Sequence, residues 1–157
     1  MKKILILFAF FGLSSMVITS CCKKEEVPPV AYTCKDSDSK IIWEWSVLKA
    51  TPVEKWQCLD TLHLSGNQLT TLPPEVREWK NLKRLYLFNN QLTSLPPEVR
   101  EWKNLEWFHL GNNQLTTLPP EVREWKNLKE LGLYGNKFSQ TERDKIKAWL
   151  PNTKIYW

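Results

Sequence analysis

The feature that most constrains the fold is a 23-residue unit that occurs three times in succession between residues 59 and 127. The units read LDTLHLSGNQLTTLPPEVREWKN, LKRLYLFNNQLTSLPPEVREWKN and LEWFHLGNNQLTTLPPEVREWKN, and a fourth, LKELGLYGNKF, begins at Leu128 and then diverges. A fixed period of this length is typical of solenoids, in which each unit forms one coil. No unit can bury its own apolar side chains, so the coils must stack on one another.

The first half of each unit predicts a short strand. Leu62 and Leu64 are two residues apart and share one face of that strand, so His63 must face the opposite way. An asparagine recurs where each strand ends, and a buried amide there can bond the turn backbone of neighbouring coils as a ladder. These residues are Asn67, Asn90, Asn113 and Asn136.

The second half of each unit predicts an outer return segment. The pair Pro73-Pro74 lacks two backbone donors, which suits such a segment and not a sheet. Pro74 can open a single helical turn in which Val76 and Trp79 lie three residues apart on one inward face. The 23-residue period also supplies the long crossover that parallel strands require.

The pattern LxxLxLxxNxLxxLPP resembles the leucine-rich repeat family, and the NQLTTLPPEV form resembles that of bacterial members, especially spirochaete lipoproteins. The likeness covers about residues 53–157. It implies an α/β repeat fold, a short right-handed solenoid with four parallel concave strands, an N-terminal cap and a C-terminal capping helix. Tryptophan stands where these proteins usually have leucine, and we interpret the set as a stacked core column: Trp56, Trp79, Trp102 and Trp125.

The segments that flank the repeats (residues 59–136) are expected to cap them. In residues 41–58, Trp43 and Trp45 alternate around Glu44, which favours a strand over the exposed end of the solenoid. In residues 137–157, Ser139-Gln140-Thr141-Glu142 is a capping-box pattern that opens a helix. Pro151 ends that helix, and residues 154–157 can add a last strand.

The N-terminal residues predict export. Residues 1–20 have the charged start and short apolar core of a secretory signal. Ile18-Thr19-Ser20-Cys21 resembles the bacterial lipobox, which implies that Cys21 becomes the acylated first residue of the mature protein. Residues 21–40 read as a polar tether. Since Cys22 and not Asp follows Cys21, the resemblance to lipoprotein sorting favours the outer membrane.

Export also makes disulfides available. Besides Cys21 the chain contains Cys22, Cys34 and Cys58, an odd number. A Cys34–Cys58 bridge that staples the N-terminal cap is the pairing we favour, although connectivity cannot be deduced from spacing. No CxxC pair is present, so the sequence gives no support to a thioredoxin-like or zinc-binding site.

The charge balance argues against nucleic acid as a partner. The net charge of +5 falls to +3 from residue 21 on, where 20 basic and 17 acidic residues remain. Most charges alternate in sign within the repeated EVREWKN, which is typical of a solvated outer face. We therefore expect a monomer without a nucleic-acid partner that meets the membrane only through lipid on Cys21.

The differences among the repeats point to the concave face as the binding surface. The three full units are identical from repeat position 14 to 23, and most of their differences fall on the exposed side of the strand and its end. In leucine-rich repeat proteins this face commonly carries ligands. Exposed aromatic clusters with arginine mark interaction sites. The predicted site residues, which should form one patch, are Arg84, Tyr86, Phe88, Trp107, His109 and Tyr134.

The sequence shows no catalytic motif and implies no cofactor. Thr61, His63 and Ser65 alternate on one strand but lack a carboxylate to orient the histidine. His63 and His109 stand two coils apart, roughly 10 Å by strand spacing, which is too far for easy ligation of one zinc. Three functions remain: recognition of a protein, binding of carbohydrate or cell wall, and a structural envelope role without a specific ligand. The few polar groups around the aromatic residues favour protein.

Overall fold

The computed structural model describes residues 45–157, which belong to one compact unit. Two α-helices and five strands alternate with four 3-10 helices. The α-helices and strands are α1 (Trp45–Ala50), β1 (Thr61–His63), β2 (Arg84–Tyr86), β3 (Trp107–His109), β4 (Glu130–Gly132), α2 (Gln140–Trp149) and β5 (Lys154–Tyr156). The 3-10 helices are Val53–Cys58, Pro74–Glu78, Pro97–Glu101 and Pro120–Glu124.

The strands form one parallel sheet in the order β1-β2-β3-β4-β5. Each strand pairs with its equivalent in the next coil, so Leu62 lies opposite Leu85 and Leu85 opposite Phe108. The predicted α/β repeat with a parallel sheet is confirmed. The four repeat-derived strands are joined by β5, which pairs parallel to β4 after α2 returns the chain to the sheet edge.

The tryptophan column is buried as the repeat spacing predicts. Trp79 and Trp102 are fully buried and stack with ring centroids 5.4 Å apart, and Trp125 stacks on Trp102 at 6.1 Å. The indole nitrogen of Trp102 donates to the carbonyl of Val76 at 2.8 Å, and that of Trp125 donates to the equivalent carbonyl of Val99. Trp79 Nε1 is buried without a partner among the described residues, so this ladder stops at the first repeat.

The asparagine ladder is confirmed and is best seen at Asn113. Its Oδ1 accepts a bond from Leu92 N, and its Nδ2 donates to the carbonyls of Leu87 and Leu110. Asn90 and Asn136 make the same three bonds in their own coils, so each of these amides satisfies backbone groups of two coils. The turns that follow β2, β3 and β4 are thereby held in one register.

The outer return segments are single 3-10 turns, each with proline at its start. Val76 within the first turn and Trp79 just after it are fully buried, which confirms their inward placement. Leucines of the strands fill the other side of the same core. The solenoid therefore has two outer surfaces, the concave sheet and the convex row of 3-10 turns.

The predicted strand at the N-terminal cap is wrong for Trp45, which begins helix α1. Helical spacing places Trp45 and Leu48 three residues apart, and both contact the core, with Leu48 fully buried. The backbone N–H of Trp45 donates to Asn67 Oδ1, so the helix start supplies the partner that a preceding coil gives elsewhere. Trp43 lies outside the described residues.

The C-terminal cap matches the prediction of a helix. Ser139 caps α2 by accepting a bond from Glu142 N at 3.2 Å, and Ile146 and Leu150 are buried against the last coil. The capping box is only half formed, because Glu142 Oε2 binds Lys145 and Glu142 Oε1 is buried without a partner in the described chain.

Several N-terminal predictions lie outside the described residues: the signal at 1–20, the tether at 21–40, and the roles of Cys21, Cys22 and Cys34. Cys58 is disulfide-bonded. The pairing with Cys34 stays a prediction. Within residues 45–157, no helix is both long and apolar enough to cross a membrane.

Candidate functional site

The concave face carries three columns of outward side chains that run across the sheet. Strand register aligns His63 with Tyr86, Tyr86 with His109, His109 with Gly132 and Gly132 with Tyr156. The same register aligns Thr61, Arg84, Trp107, Glu130 and Lys154 in a second column. A third column follows the strand ends and contains Ser65, Phe88, Gly111 and Tyr134.

The central column is a continuous ring stack. His63 and Tyr86 lie with centroids 4.3 Å apart, and Tyr86 and His109 lie 5.3 Å apart with planes only 7° from parallel. The imidazole of His109 then covers Gly132, where an added Cβ would come within 2.7 Å of His109 Nδ1. The faces of these rings are stacked against each other, so the ring edges and their polar atoms are the parts that point outward.

Both histidines are held as neutral imidazoles at neutral pH. Burial lowers the pKa of His63 below its ordinary 6.5, and the nearby positive charge of Arg84 lowers this pKa further. Burial also lowers the pKa of His109, although the carboxylate of Glu130 partly offsets that effect. In its neutral form an imidazole has one donor and one acceptor nitrogen and carries no positive charge.

Trp107 is flanked by cations from both neighbouring coils. The guanidinium of Arg84 lies 5.9 Å and the ammonium of Lys129 lies 4.9 Å from its ring centroid. Arg84 Nε in turn donates to Thr61 Oγ1 at 3.0 Å, and Lys129 pairs with Glu106. These contacts preorganise the indole, and they leave Thr61 buried instead of exposed on the concave face as expected.

Tyr134 is the most open of the predicted site residues, with 39% of its surface exposed. Its ring lies across Gly111 in the preceding coil, where an added Cβ would come within 2.3 Å of the ring. Glycine at position 111 is thus required for the Tyr134 ring to pack against the sheet at this point. One face of this phenol remains turned to solvent.

The six predicted site residues lie on one side of the sheet and differ in exposure. Arg84, Tyr86, Phe88, Trp107 and His109 are half-buried, and Tyr134 is exposed. Strands in adjacent coils lie only about 4.8 Å apart, so long side chains cover their neighbours. That these residues form one binding patch stays a prediction.

Sequence reasoning missed three residues of this face. Lys129, which flanks Trp107, immediately precedes β4, and Lys154 and Tyr156 extend two of the columns on β5. The repeat pattern gives no signal for β5, because residues 154–156 follow α2 and match no repeat. Lys129 had a signal that was overlooked, since Asp60, Lys83, Glu106 and Lys129 alternate in sign at one repeat position.

Beside the charged residues Arg84, Lys129, Glu130 and Lys154, the face carries side-chain amides and ring nitrogens as polar groups. Asn112 Nδ2 donates to Asn89 Oδ1 at 2.8 Å at the exposed end of the strands. His63 and His109 are separated by the Tyr86 ring, and no group of three metal-ligating side chains occurs between residues 45 and 157. The arrangement is suited to contact by packing and hydrogen bonds.

Two family descriptions match the repeats. "Leucine Rich repeats (2 copies)" matches residues 59–99, and "Leucine rich repeat" matches residues 80–138, so the two together span more than half of the chain. No protein of curated function matches the sequence.

Solved structures give two informative likenesses. A leucine-rich repeat protein of Leptospira interrogans is 47% identical with a TM-score of 0.64, over 68% of this chain and 28% of that one. An internalin of Listeria monocytogenes is 18% identical with a TM-score of 0.57, over 68% of this chain and 31% of that one. The second likeness concerns the fold alone. The chain spans less than a third of the length of either protein.

Proposed function

Because the chain belongs to the leucine-rich repeat family, we propose that it is a non-catalytic binding module that recognises a protein through its concave face. Repeats of this family are protein-binding modules, and the scaffold here is constant while the concave positions differ from coil to coil. Aromatic residues and arginine are the side chains that dominate protein interfaces. Arg84, Tyr86, Trp107, His109 and Tyr134 supply them on one surface.

The observation that carries the choice of protein over carbohydrate is how the rings are used. Sugar rings stack on open aromatic faces, but Tyr86 is stacked between His63 and His109, and Trp107 is flanked by Arg84 and Lys129. Tyr134 and Tyr156, with 39% and 37% of their surface exposed, are the most open aromatic residues of this face. Ring edges with polar tips suit hydrogen bonds and side-chain packing from a protein surface.

A parallel screen tests this choice. Immobilised protein would be exposed to fractionated envelope and host-surface proteins and, separately, to a glycan array. We expect saturable capture of a protein that mild protease treatment of the sample abolishes. Binding to glycans alone would replace the proposal with the carbohydrate function. Absence of binding in both the protein capture and the glycan array would favour a structural envelope role.

The second part of the proposal is that lipid on Cys21 holds this module on the outer membrane of the bacterial envelope. It is supported by the Ile18-Thr19-Ser20-Cys21 sequence at the end of an apolar signal core and by Cys22 at the following position. Two or more acyl chains hold a protein on a membrane durably, whereas one does so marginally.

Metabolic labelling with a fatty-acid analogue measures this attachment. The wild-type chain and the Cys22→Ala variant should both take up label, and Cys21→Ala should not, because only the cysteine that ends the signal core is acylated. Equal labelling of wild type and Cys21→Ala would contradict the assignment.

A further inference from the structure

The convex face carries a charge pattern that the binding function does not use. Each of three consecutive outer turns presents four charged positions in the order acidic, basic, acidic, basic. In the first turn these are Glu75, Arg77, Glu78 and Lys80. The next two turns repeat them as Glu98, Arg100, Glu101 and Lys103, and as Glu121, Arg123, Glu124 and Lys126. Stacked coils therefore turn the pattern into four parallel stripes of alternating sign.

The four stripes are placed symmetrically about the middle of the segment, and the two stripes of each symmetric pair carry opposite charges. The 3-10 turn contains Glu75, Arg77 and Glu78, and Lys80 follows it directly after the buried Trp79, so the charged positions are spaced at matched intervals along the chain on either side of the midpoint between Arg77 and Glu78. Glu75 and Lys80 are the outer pair. Arg77 and Glu78 are the inner pair. A rotation of 180° that exchanges the ends of the turn places every acidic stripe where a basic stripe stood.

The charges are available at the surface. The side chains of Arg77 and Lys80 are 65% and 52% exposed, and Glu78, which contacts both, is 26% exposed. In the described chain, the ion pairs of this face that involve Glu78 and Glu101 lie within a single turn. Exposed pairs of this kind are weak, so they can exchange for contacts with another molecule at little cost.

The surface between the turns is shaped for side chains. A groove of about 360 Å³ lies between the first and second turns, and charged residues line it throughout. They are Arg77, Glu78, Lys80, Glu98, Arg100 and Glu101. Long charged side chains of a facing surface can enter such a groove and meet opposite charges on either wall.

The core does not demand this regularity. Packing fixes Val76 and Trp79 and their equivalents, and any mixture of polar residues would keep the exposed positions solvated. The concave positions of the same coils vary freely, whereas the convex charges do not vary at all among three coils. A partner that contacts several coils at once would account for charges that keep one order throughout.

We propose that this striped face binds the same face of a second copy of the chain. With a two-fold axis parallel to the direction in which the coils stack, the Glu75 stripe lies opposite the partner's Lys80 stripe and the Arg77 stripe opposite its Glu78 stripe. A two-fold axis across the stripes would set like charges against each other. The contact is isologous and closes as a dimer, which departs from the monomer expected from sequence.

The dimer is weak and salt-dependent. Its contacts are solvent-exposed ion pairs, and the screening length shrinks from about 10 Å in 0.1 M salt to about 3 Å in 1 M salt. Confinement of the chain to a membrane would raise its local concentration and favour the contact. The concave faces remain open on opposite sides of the dimer.

Three triple variants test the pairing of stripes. The glutamate-stripe variant carries Glu75→Lys, Glu98→Lys and Glu121→Lys. The lysine-stripe variant carries Lys80→Glu, Lys103→Glu and Lys126→Glu. The arginine-stripe variant carries Arg77→Glu, Arg100→Glu and Arg123→Glu, and it has the same net charge as the lysine-stripe variant. Sedimentation equilibrium of the full chain in a density-matched, uncharged detergent measures association.

The wild-type chain should form dimers at about 0.05 M salt and dissociate at about 0.5 M, and each variant alone should be monomeric. An equimolar mixture of the glutamate-stripe and lysine-stripe variants should regain the dimer, because all four stripes again face opposite charges. A mixture of the glutamate-stripe and arginine-stripe variants should not, because two of the four stripe contacts are repulsive.

This second mixture is the control for bulk attraction between oppositely altered proteins. Equal association of the two mixtures would overturn the proposal, as would wild-type protein that stays monomeric at low salt. Near-ultraviolet circular dichroism of the buried tryptophans reports whether each variant is folded. Should the glutamate-stripe variant fail to fold, the arginine-stripe variant and a chain with Glu78→Arg, Glu101→Arg and Glu124→Arg form a second complementary pair.

Discussion

Trp102→Ala should destabilise the fold by about 3–5 kcal/mol, the range for truncation of a fully buried aromatic residue. Trp102 stands in the middle of the tryptophan column, between Trp79 and Trp125, and meets the edge of Phe108. Its loss opens a cavity across three coils at once. It also removes the donor to the carbonyl of Val76, which is bonded at 2.8 Å.

Thermal and urea unfolding followed by circular dichroism measure this effect. The melting temperature should fall by more than about 10 °C, given the usual relation between stability and melting for a domain of this size. Trp102→Phe should cost less, about 1–2 kcal/mol, because it removes the hydrogen bond but keeps a stacked ring.

Trp107→Ala is the matched control, because it removes the same side chain five residues later from the opposite side of the sheet. Trp107 is half-buried and its flanking contacts are with Arg84 and Lys129, which are cations that water can solvate. Its removal should cost less than about 1 kcal/mol of stability. Equal destabilisation by the two substitutions would contradict the assignment of Trp102 to the core and Trp107 to the concave surface.

The repeated part of the fold could be predicted because the same residue types recur at the same positions of several units. Leu62, Leu85 and Phe108 stand at one repeat position and form one core row in the sheet. The prolines, asparagines and tryptophans recur at the same spacing, and each type has a physical role that only one placement satisfies. Each of these signals is weak in a single unit, but their recurrence at one spacing specifies a single architecture.

The unrepeated parts could not be predicted to the same extent. Trp45 belongs to a helix, because contact of Leu48 with the first coil outweighs the alternation of aromatic residues near it. A last strand was expected at residues 154–157, and β5 confirms it. Its parallel pairing with β4 is not a local feature, because α2 must first return the chain to the open edge of the sheet.

The sequence predicts on which side of the sheet the candidate residues lie, but not how far each one is exposed. The alternation of strand residues places Arg84, Tyr86, Trp107 and His109 on the concave side without any knowledge of tertiary contacts. How much of each ring is exposed depends on the residue one coil away, as Gly111 shows by making room for Tyr134. That relation between coils becomes visible only in the folded solenoid.

Because the concave face is small, the binding energy must come from few side chains. Five strands at about 4.8 Å spacing give a sheet roughly 20 Å wide, so a protein partner contacts few residues. In such interfaces a handful of preorganised side chains contribute most of the affinity. Trp107 is held from both sides by Arg84 and Lys129, which makes it the residue whose loss should matter most.

The most direct test of the proposed function is the affinity of the captured protein for the wild-type chain, Trp107→Ala and Lys147→Ala, measured by titration calorimetry or biolayer interferometry. Lys147→Ala changes an exposed residue of α2 and serves as the control. Binding through the concave face predicts that Trp107→Ala weakens affinity by about 2 kcal/mol or more, roughly 30-fold, while Lys147→Ala binds as the wild type does. Unchanged affinity of a correctly folded Trp107→Ala, or an equal loss with Lys147→Ala, would show that the partner does not bind this face.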